Sequence, residues 1–358
     1  MKIFQYSFFA ILVCHSFIAN AQFSVSGKII DSASGEPLPG ASVFCHNTTI
    51  GTASNKQGEF SLEMKSGGYD LVITYTDYQP RIIRVSSDTS HLLISMVKQE
   101  KSMEEVVIRS SSEVANGWEK YGSFFIEHFI GATPNALQCT LQNPDVLKFY
   151  YYKRTNKLKV RAEKPLQIIN KALGYQLSYQ LDSFIYYYKT DINTYRGYCL
   201  YSEMEGTVAE KKIWVTNRSK AYYGSKLQFM RSYYDSTLLE DGFTIDMLDE
   251  NSETKFNKVK DPYDTLYYGS IDSTQEIEIW YPRKISVAYS KKRPEPEYIK
   301  KFGLPKNVAS QISYIDINDA IIIKQNGYYY DQKDWTNQGY WSWKNLADQL
   351  PFDYEPPE

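Results

Sequence analysis

Residues 25–97 constrain the fold most, because short runs with alternating apolar side chains are separated there by turn-forming residues. Three runs share a period of two: Ala41, Val43 and Cys45; Phe60, Leu62 and Met64; and Tyr69, Leu71, Ile73 and Tyr75. Successive side chains of a β-strand point to opposite faces, so each run can cover one side of a sheet core. Glycine and proline at positions 35–40 break the chain between the first two strands. The pattern predicts a β-sandwich.

The same stretch contains an ordered series of motifs. The series is Gly27-x-Ile29-x-Asp31, Gly35-Glu36-Pro37-Leu38-Pro39-Gly40-Ala41-x-Val43, Gly58-Glu59-Phe60-x-Leu62 and Tyr69-x-Leu71. It resembles the carboxypeptidase regulatory-like domain, and this resemblance implies a seven-stranded sandwich of transthyretin-like topology. Asp77 before Tyr78 departs from the usual Gly-Tyr of the family, which affects one turn and not the fold. The domain accompanies metallocarboxypeptidases without being the peptidase, so no peptidase activity is implied.

Histidine and cysteine are too sparse to indicate a metal centre. His46, His91 and His128 follow the leader, and none begins a His-x-x-Glu or His-Glu-x-x-His motif of the kind that zinc peptidases use. Packing or surface roles are therefore expected for them. Cys139 and Cys199 could pair in an exported protein, but their spacing resembles no disulfide framework, so free thiols are favoured. The sequence predicts no metal and no cofactor.

Local catalytic signatures are also absent from the sequence. It contains no glycine-rich phosphate loop, dinucleotide fingerprint, Gly-x-Ser-x-Gly elbow or Cys-x-x-Cys pair. Two of the 42 acidic residues could form a sugar-hydrolysing pair, but no local pattern selects them. Cys139 follows His128 by 11 residues, a spacing that does not establish contact between thiol and imidazole. We therefore predict no catalytic residue.

The first 21 residues have the form of a secretory signal peptide. Lys2 is followed by an apolar run from Ile3 to Val13, and Ala19-Asn20-Ala21 is a small-x-small cleavage site. A membrane anchor is the alternative, but the apolar run is shorter than the roughly 20 residues that a spanning helix needs. No later segment approaches that length. We expect an exported protein, in the periplasm or associated with the outer membrane, and its net charge of −2 gives no general attraction to nucleic acid.

A short segment after the predicted sandwich carries a second resemblance. Residues 101–108, Lys-Ser-Met-Glu-Glu-Val-Val-Ile, are similar to the segment that follows this domain in TonB-dependent outer-membrane receptors. In those receptors a short extended segment can bind an energy-coupling partner protein by strand addition. The resemblance therefore implies Glu105, Val106, Val107 and Ile108 as partner-binding residues. The favoured alternative is a last strand entering a linker, because the remaining 250 residues lack the serial alternating segments of a barrel.

The pattern changes from about residue 116 to a mixture of helices and strands. Helices are expected at 118–129, at 220–234 and near 343–350. Strands are expected at 148–152, 158–162, 175–181, 184–189, 195–201, 277–280, 285–289, 312–317 and 320–325, with a hairpin loop at 153–157. The predicted organisation is a signal peptide at 1–21, a sandwich at 22–98, a linker at 99–115 and a Tyr-rich domain at 116–358. The fold class is mainly β: the sandwich precedes an α+β domain with antiparallel strands and about three helices.

The C-terminal part resembles exported bacterial proteins that also carry the regulatory-like domain, a group that implies no activity. The phrases that carry this resemblance lie at 170–175, 221–225 and 351–356. Tyrosine is abundant, with 32 in the chain and triplets at 150–152, 186–188 and 328–330. These rings could form a stacking platform or an interface, although β-sheet packing is the favoured reading.

The sequence leaves two function hypotheses open. The first is a non-catalytic exported binding or assembly module, which recognises a glycan or a partner protein and should present a flat aromatic patch. The second is an unrecognised secreted hydrolase with its site in residues 116–358. It should present a deep cleft with converging acids or a contact between cysteine and histidine.

Overall fold

The computed structural model describes residues 22–99, 112–271, 274–330 and 334–357. Its N-terminal unit is a seven-stranded β-sandwich. Its strands are β1 (Gln22–Asp31), β2 (Ser42–Cys45), β3 (Gly51–Ala53), β4 (Glu59–Lys65), β5 (Tyr69–Thr74), β6 (Arg81–Val85) and β7 (Thr89–Met96). One sheet has the order β4–β1–β7 and the other β3–β2–β5–β6. Only the pairing of β1 with β7 is parallel. The predicted sandwich is confirmed.

The alternating side chains build the sandwich core as predicted. Ala41, Val43 and Cys45 have no exposed surface, and β4 alternates exposed and buried residues along its whole length. Gly58 shows why the motif series needs a glycine: its φ is +77°, and a Cβ there would lie 2.5 Å from the Ile29 carbonyl oxygen. An L-residue at this position would be strained twice, by its backbone conformation and by the close approach.

A six-stranded sheet with one covering helix follows. The helix is α1 (Gly117–Phe129), and the strands are β8 (Cys139–Leu141), β9 (Leu147–Tyr152), β10 (Lys157–Ala162), β11 (Leu166–Asn170), β12 (Tyr175–Tyr187) and β13 (Ile192–Glu203). The sheet order is β8–β11–β12–β10–β9, and β13 pairs with the other edge of β12. Phe125 and Phe129 of α1 are fully buried against this sheet. The predicted first helix and the hairpin loop at 153–157 are confirmed.

The rest of the described chain contains five α-helices and two further sheets. The helices are α2 (Val208–Tyr222), α3 (Lys226–Tyr234), α4 (Leu238–Asp241), α5 (Pro296–Lys301) and α6 (Tyr340–Trp343). The strands are β14 (Phe243–Leu248), β15 (Phe256–Lys258), β16 (Tyr268–Ile271), β17 (Glu276–Ile279), β18 (Ile285–Tyr289), β19 (Gln311–Ile317), β20 (Ile321–Ile323) and β21 (Trp335–Gly339). They form the sheets β15–β14–β18–β19–β21 and β16–β17–β20. In the described part of the chain no helix is both long and apolar enough to span a membrane.

Three predicted elements of this region were wrong in detail. The single helix expected at 220–234 is two helices, because Gly224 has a φ of +86° and Ser225 caps α3 by accepting a hydrogen bond from the Gln228 amide. The strands expected at 175–181 and 184–189 are one strand, β12, with an irregularity between Leu181 and Ser183. The short helix expected at 343–350 is divided between α6 and a 3₁₀ turn at 346–348. Six α-helices occur in the described residues, where about three were expected.

The sandwich is fastened to β13 by strand-like hydrogen bonds. The Asn47 amide donates to the Cys199 carbonyl at 2.6 Å, and the Tyr201 amide donates to the Thr48 carbonyl at 2.9 Å. The Cys199 amide donates to Nδ1 of His46 at 3.1 Å. The loop after β2 thus extends the β13 edge, which would otherwise present unpaired backbone groups.

Two further contacts join the sandwich to the C-terminal region. The Phe352 amide donates to the Asn47 carbonyl at 2.7 Å, which lays the tail of the chain across the same loop. On another side Asn326 pairs with the backbone of Gly68 in both directions, at 3.3 and 3.1 Å. The Arg84 guanidinium lies 3.9 Å from the centre of the Tyr330 ring. These contacts hold the two parts in one defined arrangement.

Candidate functional site

The described histidines and cysteines make packing and hydrogen-bond contacts. Among the described residues no group of three or more His, Cys, Asp or Glu side chains is placed to hold a metal ion. His46 accepts the Cys199 amide, and Nδ1 of His128 pairs with the Phe124 carbonyl at 2.8 Å. Cys45, Cys139 and Cys199 are free thiols. Burial raises the pKa of Cys139 to about 12, so it is a neutral thiol at physiological pH.

Two clefts of the described structure are lined in part by acidic side chains. The larger, of about 460 Å³, is an open cleft beside β14 and β15. In this cleft a hydrogen bond from the Asn251 amide lowers the pKa of the Asp249 carboxyl. A general acid needs a raised pKa instead. Burial does raise the pKa of Asp235, but Asp235 lines neither this cleft nor the one of about 290 Å³ beside Arg218.

A group of partly exposed rings lies instead where α1 meets the ends of β9 and β12. We call it the aromatic surface, and its members are Trp118, Tyr121, Phe124, His128, Tyr151 and Tyr188. Trp118 is 38% exposed and Tyr188 37%. The four helical members recur three or four residues apart, so they form one stripe beside the buried stripe of Phe125 and Phe129.

The rings form a continuous row of contacts. Tyr121 and Tyr151 have centroids 6.5 Å apart and planes at 16°, and Tyr151 meets Tyr188 edge-on at 6.1 Å. Tyr188 is 5.8 Å from Phe124, with planes at 23°, and Phe124 stacks on His128 at 4.0 Å. The row is therefore a continuous aromatic contact surface in which near-parallel pairs are interrupted by one edge-on contact, between Tyr151 and Tyr188.

Buried groups beneath the aromatic surface fix its geometry. Tyr186 is 6% exposed and meets Phe124 edge-on at 4.7 Å, while its hydroxyl donates to the Asp191 carboxylate. Burial, reinforced by that hydrogen bond, raises the pKa of Tyr186 to about 12, so it remains a neutral donor. The Tyr151 hydroxyl donates to Oδ1 of Asn156 at 2.6 Å. Rings anchored in this way lose little conformational freedom when a ligand packs on them.

The sequence predictions relate to this site only in part. Glu105, Val106, Val107 and Ile108 lie outside the described residues. The triplet at 328–330 is buried, at 1, 3 and 6% exposed, which is the packing role that was favoured. The triplets at 150–152 and 186–188 each contribute one ring. Sequence reasoning missed the contribution of α1, although the second stripe of aromatic residues beside the buried one was visible in its spacing.

Comparison with known proteins identifies the class of the N-terminal unit. Residues 25–108 match the family model of the CarboxypepD_reg-like domain, which confirms the resemblance read from the motifs. A curated relative, TonB-dependent receptor P3 of Formosa agariphila, is 26% identical over 101 residues. The match covers 28% of this chain and 10% of the receptor, so the chain spans about a tenth of the length of that relative.

Two solved structures are distantly similar to the chain. A protein from Bacteroides fragilis, described as membrane-associated and of unknown function, is 15% identical, with 45% of this chain and 65% of that chain covered and a TM-score of 0.18. The TIE protein of Bacillus anthracis is 12% identical, with 52% and 32% covered and the same TM-score of 0.18. Scores this low define no common fold.

Proposed function

We propose that this protein is a non-catalytic exported module that binds a glycan through the aromatic surface. The observation that carries the proposal is the continuous row of partly exposed rings from Tyr121 to His128. Large apolar side chains gain most when fully buried, so a fixed row of rings that remains open to solvent indicates a contact surface. A pyranose has flat faces of C–H groups that pack on such rings, while its hydroxyl groups remain available at the edge.

The size of the aromatic surface favours a glycan over a large protein partner. With no member more than 38% exposed, the six rings together offer at most roughly 500 Å². A stable protein interface of standard size buries about 800 Å² on each partner. A few sugar units can be covered by the available area, whereas a protein partner would have to recruit much additional surface.

The proposed export and the absence of catalysis have separate support. Residues 25–108 match the model of the CarboxypepD_reg-like domain, which accompanies peptidases without being one, and burial keeps the Cys139 thiol neutral. A related domain occurs in the outer-membrane receptor relative, and the secretory form of residues 1–21 is consistent with that location. We place the module in the periplasm or at the outer membrane.

Binding of purified residues 22–358 to a panel of polysaccharides tests this function. Affinity electrophoresis should detect retardation by at least one glycan, and Tyr121→Ala with Tyr188→Ala should abolish it. The matched control is Tyr314→Ala, since Tyr314 is 36% exposed but lies on β19 of a different sheet. Retardation that both variants retain equally would contradict the proposal, and so would release of sugar fragments by the wild-type protein.

We also propose a contact with a partner protein at Glu105, Val106, Val107 and Ile108. The family match extends to residue 108, and the curated relative is a TonB-dependent receptor. Both observations support strand addition by an energy-coupling partner at this segment.

A further inference from the structure

We infer that the glycan bound by the aromatic surface is an anionic polysaccharide, one that carries carboxylate or sulfate groups. This inference rests on the proposed function and adds the chemical class of the ligand. It depends on the charges of the two turns that border the aromatic surface, residues 153–157 and 188–191.

The two turns lie side by side at one end of the six-stranded sheet. The Tyr188 amide donates to the Asn156 carbonyl at 3.2 Å, and the Tyr151 hydroxyl donates to the Asn156 side chain at 2.6 Å. Asn156 therefore connects both turns to two rings of the aromatic surface. A ligand that covers Tyr151 and Tyr188 must pass beside both turns.

These turns are strongly cationic. They carry four positive side chains: Lys153, Arg154, Lys157 and Lys189. Lys189 directly follows Tyr188, and Lys153 is two residues after Tyr151. Within the described residues none of the four forms an ion pair; Lys157 lies 5.1 Å above the Tyr152 ring on the other face of the sheet. Lys153, Arg154 and Lys189 are exposed on the two turns, and an anionic ligand at the turns can neutralise their charges.

The acidic side chains nearby do not neutralise this cluster. Asp191 keeps its negative charge when it accepts the Tyr186 hydroxyl, so the two turns together carry a net charge of +3, and Glu127 of α1 pairs with Lys301 at 3.0 Å. Glu119 on the first turn of α1 is exposed, and so is its neighbour Lys120. The local balance is therefore positive in a chain whose overall net charge is −2. A local excess of this kind selects anionic ligands at the aromatic surface without making the whole protein adhere to polyanions.

Rings and cations together suit one polymer chemistry. The C–H faces of successive sugars can pack along the row of rings, and acidic substituents project from the sugar edges toward the turns. Single-stranded nucleic acid uses similar elements, stacked bases and a charged backbone. The proposed export favours the polysaccharide, and an oligonucleotide serves as a competing probe in the test.

The test compares polymers that share a backbone and differ in charge. Purified residues 22–358 are titrated with dextran and dextran sulfate, and with polygalacturonate and its methyl ester. At least one charged polymer should bind about tenfold or more tightly than its neutral counterpart, because each surface ion pair contributes modestly but several of them add up. The pair that shows this difference distinguishes sulfate from carboxylate. Affinity should fall as salt is raised, as expected when counterions are released.

A fourfold variant and its matched control isolate the contribution of charge. Replacing Lys153, Arg154, Lys157 and Lys189 by Gln should remove the preference for the charged polymer and flatten its salt dependence. The control replaces four exposed lysines outside the turns by Gln and should behave as wild type: Lys211, Lys212, Lys291 and Lys306.

The outcomes distinguish this inference from the proposed function. Equal binding of neutral and charged polymers that depends on Tyr188 would overturn the inference and leave the function intact. Binding that survives Tyr188→Ala, or that a single-stranded oligonucleotide matches in affinity, would show non-specific polyanion attraction and overturn the inference. Absence of binding to every polymer would overturn both.

Discussion

Protonation of His46 is expected to weaken the attachment of the sandwich to β13. The Nδ1 atom of His46 accepts the Cys199 amide at 3.1 Å, which requires that this nitrogen carry no proton. The Tyr198 ring stands edge-on to the imidazole, with centroids 5.6 Å apart. Burial lowers the pKa of His46 from 6.5 to about 4. At pH 5 the unfolded chain therefore binds a proton at this position and the folded chain does not.

The size of the effect follows from proton linkage. A folded-state pKa below the unfolded value gives stability that is present above pH 6.5 and is lost as the pH falls toward 4. Between pH 7 and pH 5 the loss amounts to about 2 kcal/mol of unfolding free energy. This is an upper limit, because the half-buried ring still reaches solvent.

Urea unfolding at pH 7, 6 and 5 measures this loss. All six tryptophans lie after residue 115, so fluorescence reports the C-terminal region, and circular dichroism reports the strands of both parts. His46→Asn is the matched variant, since its amide oxygen can occupy the position of Nδ1 and accept the same bond without titrating. The variant should lose less stability between pH 7 and 5 than the wild type. Equal pH dependence in the two proteins would refute the reasoning.

Three further predictions concern other contacts. Lys324→Met should lower the unfolding free energy by at most about 3–5 kcal/mol, because it leaves Glu276, now 3.1 Å away and 13% exposed, without its cation and with only the hydroxyl groups of Thr274 and Tyr330 as partners; Lys324→Met with Glu276→Gln should recover part of that loss in the same urea assay. Gly174→Ala should cost about 1–3 kcal/mol or more, since the backbone φ is +69° and a Cβ would lie 2.2 Å from the Trp214 ring; a melting temperature equal to that of the wild type would contradict this. Deletion of residues 105–108 should abolish capture by the periplasmic domain of a TonB protein in a pull-down, and unchanged capture would remove that segment as a partner site.

The sandwich could be predicted from sequence because its signals are local. Each run from Ala41 to Ile73 alternates over a few residues, and the buried members are the ones that the alternation selects. The break at Gly224 was missed for the opposite reason. Apolar spacing continues through residues 220–234, while the turn depends on tertiary contacts: a Cβ on Gly224 would lie 2.5 Å from Oε1 of Gln311, which belongs to a distant strand.

The aromatic surface is also a tertiary feature. Tyr186, Tyr187 and Tyr188 are consecutive, yet Tyr186 is 6% exposed and its neighbours are 38% and 37% exposed. Alternation alone assigns Tyr186 and Tyr188 to the same face. They differ because α1 covers Tyr186 and its contact ends near Tyr188. The point at which the helix stops covering the strand is set by tertiary packing, which no local sequence pattern encodes.

The long hairpin of β12 and β13 explains how one chain can both anchor a sandwich and present a ligand surface. The sandwich contacts β13 at Cys199 and Leu200, while the aromatic surface lies at the turn just before Ile192. Eight residues of strand separate these positions, which is roughly 26 Å at the rise of an extended chain. A ligand at the turn therefore avoids the sandwich, and the paired strands between them resist bending. We expect loosening at His46 to change the stability of the protein while leaving glycan affinity at Tyr188 unaltered, and coupled changes in both would show that the two ends communicate.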